Sequence, residues 1–62
     1  MTTAKKIRAA RIRKGLTQWQ LGAKVGFKQC TVACWEAGVN KPRRDVVAKI
    51  ARALGLKTSE LV

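Results

Sequence analysis

The stretch TQWQLGAKVGFKQCTVACWE, residues 17–36, determines how the whole chain is interpreted. Thr17 and Gln20 have the T-x-x-Q spacing of a capping box, which predicts that a helix starts there. Gly26 can adopt the positive φ of a tight turn and is predicted to end this helix. A further helix is predicted from about residue 28 to residue 37, so the stretch predicts two short helices joined at a glycine.

The second helix of this pair has two faces of different character. Val32 and Trp35 are spaced i, i+3 and are predicted to point into the core. At 100° per residue, the opposite face carries Cys30, Ala33 and Cys34, which are small and nearly bare of hydrogen-bonding groups. In a helix-turn-helix the second helix reads DNA, so this outward face is the predicted reading surface.

Glycine and proline divide the rest of the chain into further segments with helical character. We predict helices over about residues 3–14 and 43–54, the second with the clearest amphipathic pattern of the chain. Residues 59–62 are a candidate start of a fifth helix. No segment alternates with period two, so no sheet is expected. The predicted fold is all-α, a compact bundle of four to five short helices that forms one helix-turn-helix DNA-binding domain over residues 1–62.

The charge of the chain points to a polyanionic partner. Its 62 residues include 14 lysines and arginines against three acidic residues, a net charge of +11. Nucleic acid is the leading class of partner, and an anionic membrane surface is the second. The third interpretation, a cationic surface that serves only solubility, gives no reason for the repulsion between so many like charges. No apolar run is long enough to span a bilayer, and the N-terminus lacks the apolar stretch of a signal peptide. We therefore expect a cytoplasmic protein with no membrane partner.

The composition disfavours enzymatic chemistry and metal binding. The chain has no histidine, and its acidic residues are far apart in sequence. Cys30 and Cys34 are too few to hold zinc, and at i, i+4 on a helix their Cβ atoms are too far apart for an unstrained disulfide. We expect no enzyme activity, no metal, no cofactor and two free thiols.

Several coupled features make the chain resemble the lambdoid-phage repressor and Cro group, also called the XRE-like helix-turn-helix family. The resemblance runs from Ile7 to Leu61 and rests on Leu-Thr-Gln at 16–18, Gly22, Gly26, Val32, Trp-Glu-x-Gly at 35–38, Pro42 and Ala-Leu-Gly at 53–55. It implies a five-helix domain whose third helix lies in the major groove and whose second helix crosses the phosphate backbone. It also implies a homodimer on an operator with half-sites about one helical turn apart, with a monomer in solution as the alternative to a preformed dimer.

The resemblance, together with the outward face, gives the candidate site residues. Base contact is expected from Gln29, whose amide suits adenine, and from the small face of Cys30, Ala33 and Cys34, which can approach thymine methyl groups or merely avoid a clash. Phosphate contact is expected from Thr17, Gln18, Trp19, Lys28, Asn40, Lys41, Arg43 and Arg44.

Two internal contacts are also implied by the resemblance. The glutamine that opens helix two supports the glutamine of helix three, which predicts a hydrogen bond between Gln18 and Gln29. An arginine on helix one pairs with a glutamate, which predicts an ion pair between Arg11 and Glu36. For Trp19 two interpretations stay open, an indole N–H that reaches phosphate and a ring folded onto neighbouring helices.

We expect a sequence-specific regulator that binds double-stranded DNA, of the phage or prophage Cro or repressor type. The rivals within the same fold are an antitoxin and a restriction-system controller. A non-specific cationic nucleic-acid binder is the rival outside it, and the capping box and glycine turn argue against that interpretation.

Overall fold

The computed structural model describes residues 2–61, which form four α-helices and one 3-10 helix, with no strand in that range. The elements are α1 (Thr3–Arg13), α2 (Gln18–Val25), α3 (Gln29–Ala37), α4 (Arg44–Ala53) and the 3-10 helix (Thr58–Glu60). The predicted all-α class is confirmed. No helix in the described range is long and apolar enough to cross a membrane.

The ends of α2 follow from its local sequence. The hydroxyl oxygen of Thr17 accepts the backbone N–H of Gln20 at 3.0 Å, and the side-chain carbonyl of Gln20 accepts the backbone N–H of Thr17 at 2.9 Å. This reciprocal pair is the predicted capping box, and it occupies two N–H groups that the start of a helix leaves without partners. At the other end Gly26 has φ +82°, a left-handed conformation that glycine adopts without strain.

The core draws buried apolar side chains from all four α-helices and from Leu54 and Leu61. Its buried members are Ile7, Ala10, Leu21, Val25, Val32, Trp35, Val47, Ile50, Ala51, Leu54 and Leu61. α3 packs on both α1 and α2, while α4 packs on α2 and on the 3-10 helix. Because Val32 and Trp35 anchor the inner side of α3, the opposite side of that helix is directed outward.

The chain after α4 is compact but not α-helical. Residues 58–60 form the 3-10 helix, where the sequence predicted that a fifth helix could begin. Glu60 Oε2 accepts the backbone N–H of Lys57 at 2.7 Å, and Leu61 is fully buried in the core. The last residue of the predicted segment, Val62, lies outside the described residues.

The turn between α2 and α3 lies directly against α2 at Gly22. A Cβ added there would come within 2.6 Å of the carbonyl oxygen of Phe27, so only glycine fits without a shift of the backbone. Gly22, one of the residues on which the family resemblance rests, thus admits the backbone of the turn. The Phe27 ring also meets the Trp35 ring edge to face at a centroid distance of 5.1 Å. These contacts fix the angle at which α3 leaves α2.

Candidate nucleic-acid interface

The first residues of α2 and α3 meet at one point on the surface. Gln18 begins α2, Gln29 begins α3, and the Gln29 Nε2 donates a hydrogen bond to the Gln18 Oε1 at 2.8 Å. Each helix N-terminus carries a partial positive charge, and α3 has no side-chain cap on its first backbone N–H groups. Two such ends side by side form a surface suited to an anion such as a phosphate group.

The predicted ion pair between Arg11 and Glu36 lies behind this point. Arg11 Nε donates to Glu36 Oε2 at 2.8 Å, and Arg11 Nη2 donates to Glu36 Oε1 at 3.0 Å. A third guanidinium nitrogen, Nη1, donates to the carbonyl oxygen of Leu16 at 2.7 Å. The two side chains are 13% and 4% exposed. The glutamate charge is therefore matched inside the protein and does not oppose an approaching phosphate.

Glu36 also sets the direction of the glutamine pair. Gln18 Nε2 donates to Glu36 Oε1 at 3.4 Å. A carboxylate only accepts hydrogen bonds, so Gln18 turns its NH₂ group toward Glu36 and its carbonyl toward Gln29. Gln29 must then donate one N–H to Gln18 and keeps its carbonyl oxygen and second N–H for an outside partner. One acceptor beside one donor is the pattern that pairs with N6 and N7 of adenine.

The outward face of α3 is made of small side chains, as the helical spacing predicts. Gln29 and Cys30 are exposed, and Ala33 and Cys34 are half-buried. Both cysteines are free thiols. Within residues 2–61 no group of three or more potential ligands of the His, Cys, Asp and Glu types could hold a metal ion. This face can therefore approach a flat or grooved partner closely, with the amide of Gln29 as its polar group.

The cationic residues after α3 line two concavities, which share Lys41. Lys41 and Arg43 line a concavity of about 370 Å³ that also contains Thr31 of α3. Arg44, although adjacent in sequence, lines a different concavity beside Thr3 at the start of α1. Sequence reasoning treated Arg43 and Arg44 as equivalent, but only Arg43 is on the α3 side.

The other residues expected to contact phosphate differ in how exposed they are to solvent. Thr17, Lys28 and Asn40 are exposed, and Gln18 is half-buried. The backbone N–H of Thr17 is used in the capping box, so only its hydroxyl hydrogen remains for a phosphate. Trp19 is 67% exposed, so most of its side chain is not covered by neighbouring helices.

Arg8 is a candidate that sequence reasoning missed. It is exposed and lines a concavity of about 320 Å³ together with Gln18, Ala33 and Glu36. The available signal was its spacing, because Arg8 precedes Arg11 by one helical turn and the predicted partner of Arg11 is on α3. Arg8 thus lines the same concavity as Gln18 of α2 and Ala33 of α3.

A family model described as Helix-turn-helix matches residues 7–61 of the chain. The chain belongs to the helix-turn-helix family. Among relatives, it is 40% identical over 57 residues to human Endothelial differentiation-related factor 1, covering 92% of this chain and 38% of that protein. It is also 40% identical over 57 residues to Multiprotein-bridging factor 1 of Candida albicans, again covering 92% of this chain and 38% of that protein. This helix-turn-helix chain therefore spans 38% of the length of these relatives.

The fold is similar to that of a solved phage protein. The crystal structure of the P22 c2 repressor protein in complex with synthetic operator 9T, in the presence of Tl⁺, matches with a TM-score of 0.94. The match covers 100% of this chain and 94% of that chain, at 24% sequence identity. The predicted resemblance to the lambdoid repressor group is confirmed at the level of the helix-turn-helix fold.

Proposed function

We propose that this helix-turn-helix protein is a transcriptional regulator that binds double-stranded DNA and reads an operator sequence through α3. The observation that carries the proposal is the Gln18–Gln29 pair at the convergent starts of α2 and α3. It holds one amide, with an acceptor and a donor unused, on an exposed surface that has lysine and arginine on its flanks. In the major groove such an amide distinguishes adenine from the other bases.

The proposal divides the site residues into two groups. Gln29, with Cys30, Ala33 and Cys34 beside it, faces the base edges, and the small residues let the helix enter the groove. The phosphate contacts supply most of the affinity, because each one releases counterions from the duplex. This second group consists of Thr17, Gln18, Trp19, Lys28, Asn40, Lys41, Arg43 and Arg44, and we add Arg8 because it lines a concavity with Gln18.

More specifically, we propose that the protein is a phage or prophage repressor of the Cro type and that it acts as a homodimer in the cytoplasm. The described residues measure 23 × 23 × 19 Å. Successive major-groove half-sites on one face of DNA are about 34 Å apart, so one copy is too small to read two of them. Two copies related by a two-fold axis would match a palindromic operator.

A second candidate follows from the relatives rather than from the site. Multiprotein-bridging factor 1 is named for joining proteins, and its identity of 40% to this chain favours a domain that connects proteins to one another. Reconstituted transcription with purified polymerase separates the two candidates. A repressor lowers transcription from a promoter that carries its operator without help, whereas a bridging domain changes nothing until a second protein is added.

Selection from a pool of random duplexes at a stated salt concentration tests the sequence-specific function. We expect a palindrome to be enriched, with an adenine at the position that Gln29 contacts in each half. Gln29→Ala should lower the preference for that base pair by about tenfold, since one bidentate contact is worth about 1–3 kcal/mol.

Lys28→Ala is the matched control for Gln29→Ala, because it removes an adjacent side chain that has no base partner in the proposal. It should weaken binding to all duplexes alike without changing the preferred base. An unselective pool, or a Gln29→Ala variant with unchanged base preference at fixed salt, would support the charge-only alternative over an operator reader of this design.

A further inference from the structure

A second cationic surface lies away from the reading helix, between the C-terminal halves of α2 and α4. It is an open groove of about 600 Å³, and we call it the basic groove. Its lining consists of Ala23, Lys24, Val25, Gly26, Lys49, Arg52 and Ala53. No residue of α3 and none of residues 40–44 contributes to it. It is therefore a different surface from the candidate DNA interface.

The three cations of the basic groove have no internal counter-charge. Lys24, Lys49 and Arg52 are all exposed, and no carboxylate among residues 2–61 forms an ion pair with any of them. Asp45 precedes Lys49 by one helical turn, but the carboxylate of Asp45 is not within ion-pair distance of the Lys49 ammonium group. Three like charges around one concavity repel one another, and a partner that carries negative charge relieves that repulsion.

Helix-dipole stabilisation accounts for only part of this arrangement. Lys24 and Arg52 are in the last turns of α2 and α4, where cations interact favourably with the helix dipole. Lys49 is in the interior of α4 and gains nothing comparable. The dipole also does not require cations from two helices to line the same groove.

The lining of the basic groove between its cations is apolar. This limits which kind of negatively charged partner fits the groove. Between the cations lie the side chains of Ala23, Val25 and Ala53 and the bare backbone of Gly26. A nucleic-acid backbone would place charged phosphate over this floor and bury no apolar group there. A peptide with carboxylates on both sides of a leucine-sized side chain matches both the rim and the floor.

We infer that the basic groove is the docking site for an acidic, leucine-containing segment of a partner protein. The segment lies between α2 and α4, with its carboxylates against Lys24 and Arg52 and its apolar side chain on the accessible Ala23 and Ala53. Lys49 is at the edge, because it also lines the concavity that contains Arg43. The inference does not depend on DNA binding, and the groove and the reading face can be occupied together.

The test is a titration of the intact chain with a short capped peptide of glutamate, aspartate and leucine, followed by ¹H–¹⁵N NMR. We expect shift changes at residues 23–26 and 49–53. Lys24→Glu combined with Arg52→Glu should weaken binding by about tenfold or more, because two attractive contacts become repulsive. The matched control, Lys5→Glu combined with Arg13→Glu, makes the same change in net charge at exposed positions of α1, and it should leave the affinity within about twofold at physiological salt.

Several results would overturn the inference. They are shifts confined to residues 17–20 and 28–34, equal weakening in both double variants, or no binding at millimolar peptide. Equal binding of a peptide with serine in place of leucine would show that the apolar floor is not used. Shifts in the basic groove on adding a short DNA duplex would assign the surface to nucleic acid. Because this titration contains no operator, its failure is separate from failure of the DNA-reading function.

Discussion

Glu36 is the residue whose chemistry connects the interior of the molecule to its reading surface. Its carboxylate accepts two hydrogen bonds from Arg11 and one from Gln18. The first two neutralise a nearly buried charge, and the third fixes which way the amide of Gln18 points. Gln29 is hydrogen-bonded to Gln18. The orientation of the Gln29 amide is therefore set by Glu36, which is not itself one of the proposed DNA contacts.

Removing one partner of the ion pair should strongly reduce stability. Glu36→Gln leaves the Arg11 charge nearly buried without a counter-charge, and we expect a loss of about 3 kcal/mol in the free energy of unfolding. Small domains are stable by roughly 5–15 kcal/mol, so this loss is a large fraction of the total. Urea unfolding followed by circular dichroism measures it.

A comparison with a double variant separates the free energy of the Arg11–Glu36 ion pair from other effects of Glu36→Gln on stability. Arg11→Met combined with Glu36→Gln removes both charges, so its loss should fall short of the sum of the two single losses by at least about 1 kcal/mol. If Glu36→Gln alone costs less than about 1 kcal/mol, the pair behaves as a solvent-exposed salt bridge and the argument for a buried charge is wrong.

At the scale of elements, the decisive contact is the one between α2 and the turn that follows it. The carbonyl oxygen of Phe27 lies only 2.6 Å from the position that a Cβ on Gly22 would occupy. The turn is thereby held against α2, and the start of α3 is carried to within hydrogen-bond distance of the start of α2. Without that close approach Gln18 and Gln29 could not form their 2.8 Å contact.

Gly22→Ala tests this close approach. Alanine favours a helix by about 1 kcal/mol over glycine, but overpacking against backbone typically costs about 1–3 kcal/mol. We expect net destabilisation, seen as a melting temperature lowered by several degrees, at roughly 4–8 °C per kcal/mol for a domain of this size. A duplex-binding measurement at a temperature where the variant is folded should also show a weaker interaction.

Ala23→Gly is the matched control, because Ala23 is the next residue of α2 and is exposed. It should lose about 1 kcal/mol from helix propensity alone. If Gly22→Ala instead gains that amount, the turn yields without cost and does not fix the angle of α3.

At the scale of the whole molecule, the charge of +11 is not spread evenly. One group of cations, Lys28, Lys41 and Arg43, lies in the loops before and after α3, and a second group, Lys24, Lys49 and Arg52, lines the basic groove. Their separation means that total charge alone does not determine how strongly salt affects DNA binding. Only the cations that contact phosphate displace counterions from the duplex.

The salt dependence of DNA affinity distinguishes the two groups. Lys41→Ala should reduce the slope of log affinity against log salt concentration by about one, because one phosphate contact is lost. Lys24→Ala removes the same charge from the basic groove and should leave the slope unchanged. Fluorescence anisotropy with a labelled duplex over a series of salt concentrations gives both slopes, and equal changes would contradict the division into two surfaces.

Much of the fold could be predicted because its signals are local. The capping box of Thr17 and Gln20 and the positive φ of Gly26 depend on residues within a few positions of each other. The inward position of Val32 and Trp35 follows from helical periodicity. The 3-10 helix at residues 58–60 could not be predicted in the same way, because a segment this short is determined by how Leu61 enters the core.

The candidate site was predicted only in part. The Arg11–Glu36 and Gln18–Gln29 contacts were implied by resemblance to a family and are present in the structure. Arg8 was missed, since its place beside Gln18 depends on how α1 packs on α3. Arg43 and Arg44 line different concavities, and this was missed for a similar reason, because one concavity includes Thr31 of α3 and the other includes Thr3 of α1.

The sequence by itself determined the helices, their ends, the sign of the charge and the small outward face of α3. These properties are local, or they are sums over the composition. Tertiary structure alone decided that the turn and not another helix occupies the space at Gly22, and that Glu36 orients Gln18. It also decided that Lys24, Lys49 and Arg52 line one groove. The physical reason is that these relations join residues on different elements, and their distances are set by how the core packs.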